Sequence, residues 1–355
     1  MTAPDSLVVT AWSALSPYGS RTEQFTAGVR ERRVLLPAPG GPVSFAVGGR
    51  VPGFDSPRGP GGSGARDRAR TAALAGTAVA SALERSAPLG SSGLCSGGCS
   101  SEARLGFVLG TSTGGTPARP GSGRTRMTGP YVALAGGRIS ALLGLVRARR
   151  MLRAGRASAV VCGAAEESGP ARSWLERRAH AEDGADAPAR APLAEGAAVF
   201  RVTLAGLLAP SPGREPVAVC ATVPGLHART AVPTRGISPR EALGMAVARA
   251  LDEAGLGAEE VWAVAPSGLD PAEEAVLGGM FAEPVLERLP RAGELFGDAG
   301  AAAAALQIAL ALAHGPGTGP VAGAVPGAGP RHVLVTGVDD GCVAAALLRL
   351  GGTLS

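Results

Sequence analysis

Nucleophilic or metal chemistry in this chain of 355 residues would have to come from a short roster of side chains. Five cysteines (Cys95, Cys99, Cys162, Cys220 and Cys342) are scattered, and no CxxC pair has a second pair or histidines behind it, so neither a disulfide framework nor a zinc site is expected. Cys95 and Cys99 fall in a Ser/Gly loop and read as incidental thiols, Cys162 sits in an apolar run and reads as core, and Cys342 is expected nearer the surface. His180, His227, His314 and His332 share no helical or metal-type spacing. Ser140 opens a helical pattern, where a serine–base pair is conceivable, but no histidine lies at a telling distance from it. GTSTGG (110–115) lacks the G-x-G-x-x-G pattern of a dinucleotide loop. All 34 Lys+Arg residues are arginine, which excludes a Walker A lysine and a Schiff-base lysine. No cofactor or metal is expected.

The charge balance and composition narrow the class further. A net charge of +5 is too diffuse to indicate nucleic acid, and with Phe 7, Trp 3 and Tyr 2 there are few rings on which bases could stack. The longest apolar run, 299–313, is too short to span a bilayer and is interrupted by Gln307. The first residues carry no basic, apolar export signal, so a cytoplasmic protein without a membrane partner is expected.

The elements that would position these residues recur in two rounds. An alanine-rich helix (67–85), a strand (104–112), a helix (139–153) and strands at 157–167 and 197–204 are followed by a helix (239–254), a strand (261–268), a helix (299–313) and strands at 332–341 and 343–350. Strands alternating with helices, several of them apolar throughout, predict an α/β core with sheets covered on both faces. Two pseudo-duplicated halves, 1–205 and 206–355, form one compact unit in this reading. Residues 173–192 and 315–330 read as loops, and 40–70 as a Gly/Pro/Arg-rich insertion expected to be mobile in part. The arginines of LVRARRMLRAGR (145–156) read as the solvated face of a helix, with guidance of an acidic carrier protein as the other reading.

Six segments in order resemble the β-ketoacyl synthases of the thiolase superfamily. LVVTAWSALSPYGSRTEQFTAGVRERR looks like the family's opening strand and "S-P-x-G" turn, GFVLGTSTGG its "G-T-x-x-G-G" strand end, and GRASAVVCGAAEE its "G-G-A-E" strand. PLAEGAAVFRVT is similar to its "G-E-G-A" segment, while ALDEAGLGAEEVWAV and FGDAGAAAAALQIALAL match its C-terminal half. The resemblance implies a thiolase-like layered α-β-α-β-α fold and a dimer whose central sheet continues across the interface.

The same resemblance locates what has been lost. Active ketosynthases carry a cysteine at a helix N-terminus, where the dipole lowers the thiol pKa and backbone N–H groups stabilise an oxyanion. The family spacing "G-P-N-x-x-x-x-T-A-C" laid on GPYVALAGGR puts Arg138 at that position. The first family histidine is missing from SGLDPAEEAV (267–276), which keeps Asp270 and Glu273. The second is replaced by Asp298, the upstream lysine by Gly293, and the "F-G-F-G-G" gating loop by GVDDG (337–341). A guanidinium cannot form an acyl thioester, so no catalytic residue is assigned. Arg138 reads as a plug, paired with Asp298 across two pseudo-equivalent helix starts.

A ketosynthase fold so altered is similar to the chain-length factors, or β subunits, of bacterial type II polyketide synthases, silent subunits that pair with an active ketosynthase α subunit and help shape the tunnel for the growing chain. The resemblance implies that ketosynthase and an acyl carrier protein as partners. Chain-length factors of aromatic synthases usually carry glutamine where Arg138 stands, which points to a divergent branch making reduced or polyene chains. The segment between GTSTGG and GPYVALAGGR is shorter than in active enzymes, and Met127, Tyr131, Leu134 and Arg138 are expected at the tunnel or dimer interface. Two other readings stay open at this point: an acyltransferase or hydrolase with relocated chemistry, needing a histidine near Arg138, and a stand-alone scaffold that binds acyl carrier protein.

Overall fold

The computed structural model describes residues 3–36, 47–54, 63–86, 104–112, 129–183, 191–208, 217–230, 237–315, 330–339, 341–351 and 353–354. The chain opens with β1 (Leu7–Leu15), α1 (Thr22–Arg30), β2 (Val47–Gly49) and α2 (Ser63–Glu84). It continues through β3 (Leu105–Gly110), β4 (Tyr131–Leu134), α3 (Ser140–Arg153), β5 (Ala159–Glu166) and α4 (Pro170–Asp183). Then come β6 (Leu193–Ala194), β7 (Gly196–Leu204), α5 (Ala205–Leu208), β8 (Val217–Ala218), β9 (Ala221–Thr230) and α6 (Pro239–Ala254). The rest comprises β10 (Ala263–Ala265), α7 (Pro271–Met280), α8 (Glu283–Leu286), α9 (Ala292–Phe296), α10 (Ala303–Ala313), β11 (Arg331–Asp339), β12 (Cys342–Leu350) and β13 (Thr353–Leu354).

Nine strands pair in the order β10-β11-β12-β9-β1-β7-β5-β3-β4. Outward from β1 the partners β7, β5 and β3 pair antiparallel, antiparallel and parallel, and outward from β9 the partners β12, β11 and β10 repeat that sequence. β1 and β9 join the two sets over only three residue pairs, Leu7 to Val9 against Val223 to Ala221. The two sets can therefore turn to face each other, and α3 touches strands of both (β3, β5 and β7 on one side, β9 and β12 on the other). α10 likewise lies against β7 and β11.

Side-chain alternation along the strands separates the layers. Val160, Cys162 and Ala164 enter the central cluster with α3 and α10, whereas Val161 and Ala165 enter a second cluster under α2. Ala344, Ala346 and Leu348 face the centre, whereas Val343, Ala345 and Leu347 pack under α6 and α7. Helix, sheet, paired helices, sheet and helix give five layers, so strands buried on both faces read as continuous apolar runs. All of α10 is buried, because a sheet lies on each side of it. Its one polar side chain, Gln307, donates to the backbone carbonyls of Ala265 and Thr336 at 3.0 and 3.1 Å and so ties β10 to β11.

Two loop expectations are corrected. Residues 173–183 belong to α4, which lacks an apolar stripe; it opens on Pro170, whose fixed φ suits a helix start, and is anchored by the buried Arg172 and Ser173. Within 40–70, residues 47–49 form β2, which pairs with β6, and α2 begins at Ser63. The reason is again tertiary. The buried Glu195 accepts Val51 N–H at 2.6 Å and grips the Arg70 guanidinium with both oxygens, so one carboxylate ties the segment after β2 to α2. The loop read at 315–330 lies, but for its two ends, outside the described residues, as do Cys95, Cys99 and Met127.

Candidate functional site

Arg138 sits in a single 3₁₀ turn, Gly137–Ile139, that leads directly into α3. β4 brings the chain there: its last carbonyl, on Leu134, accepts Thr111 N–H at 3.0 Å, and Gly136 N–H then donates to the buried Ser140 hydroxyl oxygen at 3.1 Å. Gly137 takes φ +50, which turns the chain from strand into helix and which a residue with a Cβ adopts only under strain. The pseudo-equivalent helix repeats this device, with the 3₁₀ turn Gly300–Ala302 and Gly300 at φ +51 before α10.

Asp298 comes from the other side of the central layer. Gly297 (φ +96) follows α9, and a Cβ there would stand 2.2 Å from the Pro192 carbonyl oxygen, so only glycine lets the chain pass. The Asp298 backbone is then held by β6: its N–H donates to Pro192 O and its carbonyl accepts Ala194 N–H, each at 2.8 Å. Asp298 Oδ1 accepts Gly300 N–H at 2.7 Å, and Oδ2 accepts from Arg138 Nη2 at 2.6 Å and Nε at 3.1 Å. A second guanidinium, Arg172, donates to the carbonyls of Ala194 and Asp298 at 2.8 Å and lies 3.4 Å from Asp298 Oδ1.

The electrostatics follow from this arrangement. Burial raises the cost of charge on Asp298, but Arg138 and Arg172 outweigh it and hold the carboxyl below its usual range. Burial also works against the charge on Arg138, and Asp298 with Asp339 more than offsets it, holding the guanidinium above its ordinary value. Arg138 is thus a permanently charged cation with a fixed anionic partner.

The backbone of the same residue is occupied too. Arg138 N–H donates to Asp339 Oδ2 at 2.9 Å. Asp339 ends β11 and pairs antiparallel with Cys342, the first residue of β12, and Gly341 stands at φ +73. The end of β11 therefore brings the Asp339 carboxylate onto the backbone N–H at the start of α3.

The remaining expected residues are distributed as follows. Tyr131 and Leu134 both lie on β4, half-buried, but Tyr131 packs with the α2-side cluster and Leu134 with the central one. Cys162 is fully buried and its thiol is pushed up to about 12 by desolvation, and Cys342 is half-exposed. His227 lies on the α6 face of its sheet, opposite the central layer that holds Arg138, because its flanking residues Leu226 and Ala228 face inward. His314 caps the far end of α10, and His332 stands at the end of β11 remote from Asp339. None of these three approaches the Arg138 turn, and the side chain of His180 lies outside the described residues.

The segment 267–276, expected to have lost a histidine, is held by a network of its own. The buried Glu273 accepts Ser267 N–H at 3.0 Å and hydrogen bonds from the hydroxyls of Ser267 and Thr336, the latter at 2.7 Å. A Cβ on Gly293 would meet Leu269 Cδ2 at 2.7 Å and Ser267 O at 2.8 Å, so that loop leaves no room for a longer side chain. Sequence reasoning missed Arg172 and Asp339 as members of this constellation; Asp339 was inside the gating-loop segment, but nothing in the sequence shows that its carboxylate reaches Arg138.

Among the described residues no group of three or more His, Cys, Asp or Glu could hold a metal, and no helix is long and apolar enough to cross a membrane. No family model and no curated protein matches the sequence. Solved structures do. The ishigamide ketosynthase/chain length factor is 32% identical, with 98% of this chain and 100% of that one covered and a TM-score of 0.71. The ketosynthase in the AntDE:AntF complex, a type II synthase with its acyl-carrier protein and a bound hexaketide, is 15% identical at TM-score 0.64, with 98% of this chain and all of that one covered. A β-ketoacyl synthase from Burkholderia phymatum STM815 is 16% identical at TM-score 0.62, with 99% of this chain and all of that one covered. The last two show the thiolase-like ketosynthase fold alone. The first, similar over nearly its whole length and matching the five-layered core, places this chain in the ketosynthase/chain length factor family.

Proposed function

We propose that this protein is the non-catalytic chain-length factor of a type II polyketide synthase, working in the cytoplasm as the partner of an active ketosynthase and helping to shape the tunnel in which the chain grows. The observation that carries the reading is the double closure at Arg138: the residue at the nucleophile position is a cation bound to Asp298, and its backbone N–H is bound to Asp339. Covalent acyl transfer needs a nucleophile and a free oxyanion donor there, and this turn offers neither. The fold is nonetheless intact up to the edge of its sheet.

That edge is β4, which pairs with β3 on one side and with no described strand on the other. The family's dimers continue the sheet at such an edge, and the exposed Ala133 on β4 leaves it open to a further strand. In this reading Leu134, on the central-layer side, faces the tunnel, and Tyr131, on the α2 side, supports the interface. An acyl carrier protein would deliver chains to the pair, and the arginine in place of glutamine supports a branch making reduced or polyene chains. Residues 1–205 and 206–355 would act together as one unit.

The test is co-expression with an active type II ketosynthase. The expected result is a stable heterodimer that makes polyketide, no condensation or extender decarboxylation by this chain alone, and a product length that shifts when Leu134 is enlarged. Purification only as a homodimer that never joins the ketosynthase would overturn the reading.

A further inference from the structure

The two 3₁₀ turns of the central layer are capped in a crossed fashion. Arg138 N–H, at the start of α3, is bound by Asp339 at the end of β11, while Ala301 N–H, at the start of α10, is bound by Glu166 at the end of β5. Each acceptor is a carboxylate from the strand set opposite to the turn it serves. Arg138 and Ala301 each follow a glycine in the left-handed region, and each glycine leaves room for the crossing acid: a Cβ on Gly137 would stand 1.3 Å from Asp339 Oδ2, and one on Gly300 would stand 2.9 Å from Glu166 Cγ. The two acids differ in setting. Glu166 is fully buried and its Oε2 also accepts Ser112 N–H at 3.0 Å, and Ala301 N–H is shared with the Ser112 hydroxyl at 3.2 Å. Asp339 is half-exposed on the hairpin.

We infer that Asp339 and Glu166 are positioning residues, a pair of crossed carboxylate clasps by which each strand set fixes the helix start of the other. The physical basis is direct. The first amides of a helix lack intrahelical partners, and a carboxylate placed on them gains both a charge-assisted hydrogen bond and the favourable end of the helix dipole. Because the clasps cross, the α3 and α10 starts are held in mutual register without any ligand. This inference does not depend on the proposed function; it requires only the geometry of the two turns.

Residue-resolved amide hydrogen exchange on the full chain tests it. Asp339→Ala is expected to speed exchange at Arg138 by about tenfold or more while Ala301 keeps its protection, although Asp339 and Ala301 belong to the same strand set. Glu166→Leu is expected to do the reverse, freeing Ala301, by a smaller factor because Ser112 also serves that amide, and leaving Arg138 protected. Where either variant fails to fold, Asp339→Asn and Glu166→Gln keep the shape and are expected to give the same crossed pattern at reduced amplitude. A merely structural role would loosen both turns together, or the turn nearer in sequence. Equal deprotection of both amides by one substitution, or unchanged exchange at Arg138 in Asp339→Ala, overturns the inference.

Discussion

Asp339 occupies the space that a side chain on Gly137 would fill: its Oδ2 lies 1.3 Å from where the Cβ would stand, and from there it accepts the N–H of Arg138. Glycine and carboxylate are thus one feature. Gly137→Ala would meet both the left-handed backbone, at φ +50, and the carboxylate, and is expected to cost about 2 kcal/mol or more. Combined with Asp339→Ala it should cost less than the two changes separately, because the clash is gone. Denaturant unfolding of the four proteins in this cycle measures the coupling, and simple additivity would show that the two residues do not share the site.

The Arg138–Asp298 pair joins a half-buried guanidinium to a buried carboxylate, and its members cannot be removed singly at low cost. Arg138→Ala leaves the Asp298 carboxylate with the more distant Arg172, and is expected to destabilise by about 2 kcal/mol or more, with partial recovery in the double variant with Asp298→Ala. Asp298 has its folded pKa below the unfolded one, so the stability it supplies is present above the ordinary carboxylate range and is lost as the pH falls through the lowered value. Acid unfolding should accordingly flatten in Asp298→Asn.

Arg138→Cys would, on the proposed alignment, restore a nucleophile, and is expected to yield no condensation or decarboxylation by the chain alone. Asp339 still caps the backbone N–H of residue 138, and in the same proposal Asp298 and Gly293 take the places of a histidine and a lysine. Mass spectrometry for an acyl-enzyme and an extender-decarboxylation assay check this, and turnover by the variant would show that the turn is not closed to acyl transfer.

Glu273 carries the opposite sign. Burial, against three hydrogen bonds from Ser267 and Thr336, holds its carboxyl above the usual range. An acid whose folded pKa is raised stabilises the fold fully below the unfolded value and loses that contribution as the pH rises through the folded one. Glu273→Gln preserves the shape and removes the titration. Its melting temperature relative to the native chain is expected to rise between acidic and neutral pH, and a constant difference across that range would show that Glu273 does not titrate there.

Ala133 offers the cleanest probe of the sheet edge. Pro130 and Leu134 direct their carbonyls to β3, so Ala133, one residue out of that phase, turns its backbone to the open side of β4. Ala133→Pro removes the outward N–H without breaking a bond to β3, and is expected to abolish association with the ketosynthase while leaving the melting temperature within a few degrees. Size-exclusion chromatography of the co-expressed pair reads this directly, and an intact heterodimer would place the interface elsewhere.

The sequence by itself determined the duplicated α/β order and the strands buried on both faces, because hydrophobic period is a local property. α6 and α3 start and stop within a residue of their expected limits, since the Ser238 capping box, Gly255 and the Arg-rich end of α3 are local signals. It also paired Arg138 with Asp298. The tertiary structure alone decided what that pairing closes. α4 forms without an apolar stripe because Arg172 is docked on carbonyls far along the chain, and Glu195 draws together residues that composition had marked as loop. Asp339 reaches Arg138, and Glu166 reaches Ala301, across the layer between the sheets. Such contacts depend on where two strand ends meet two helix starts, a relation between elements that no single segment encodes, and it is this relation that sets a carboxylate on each turn.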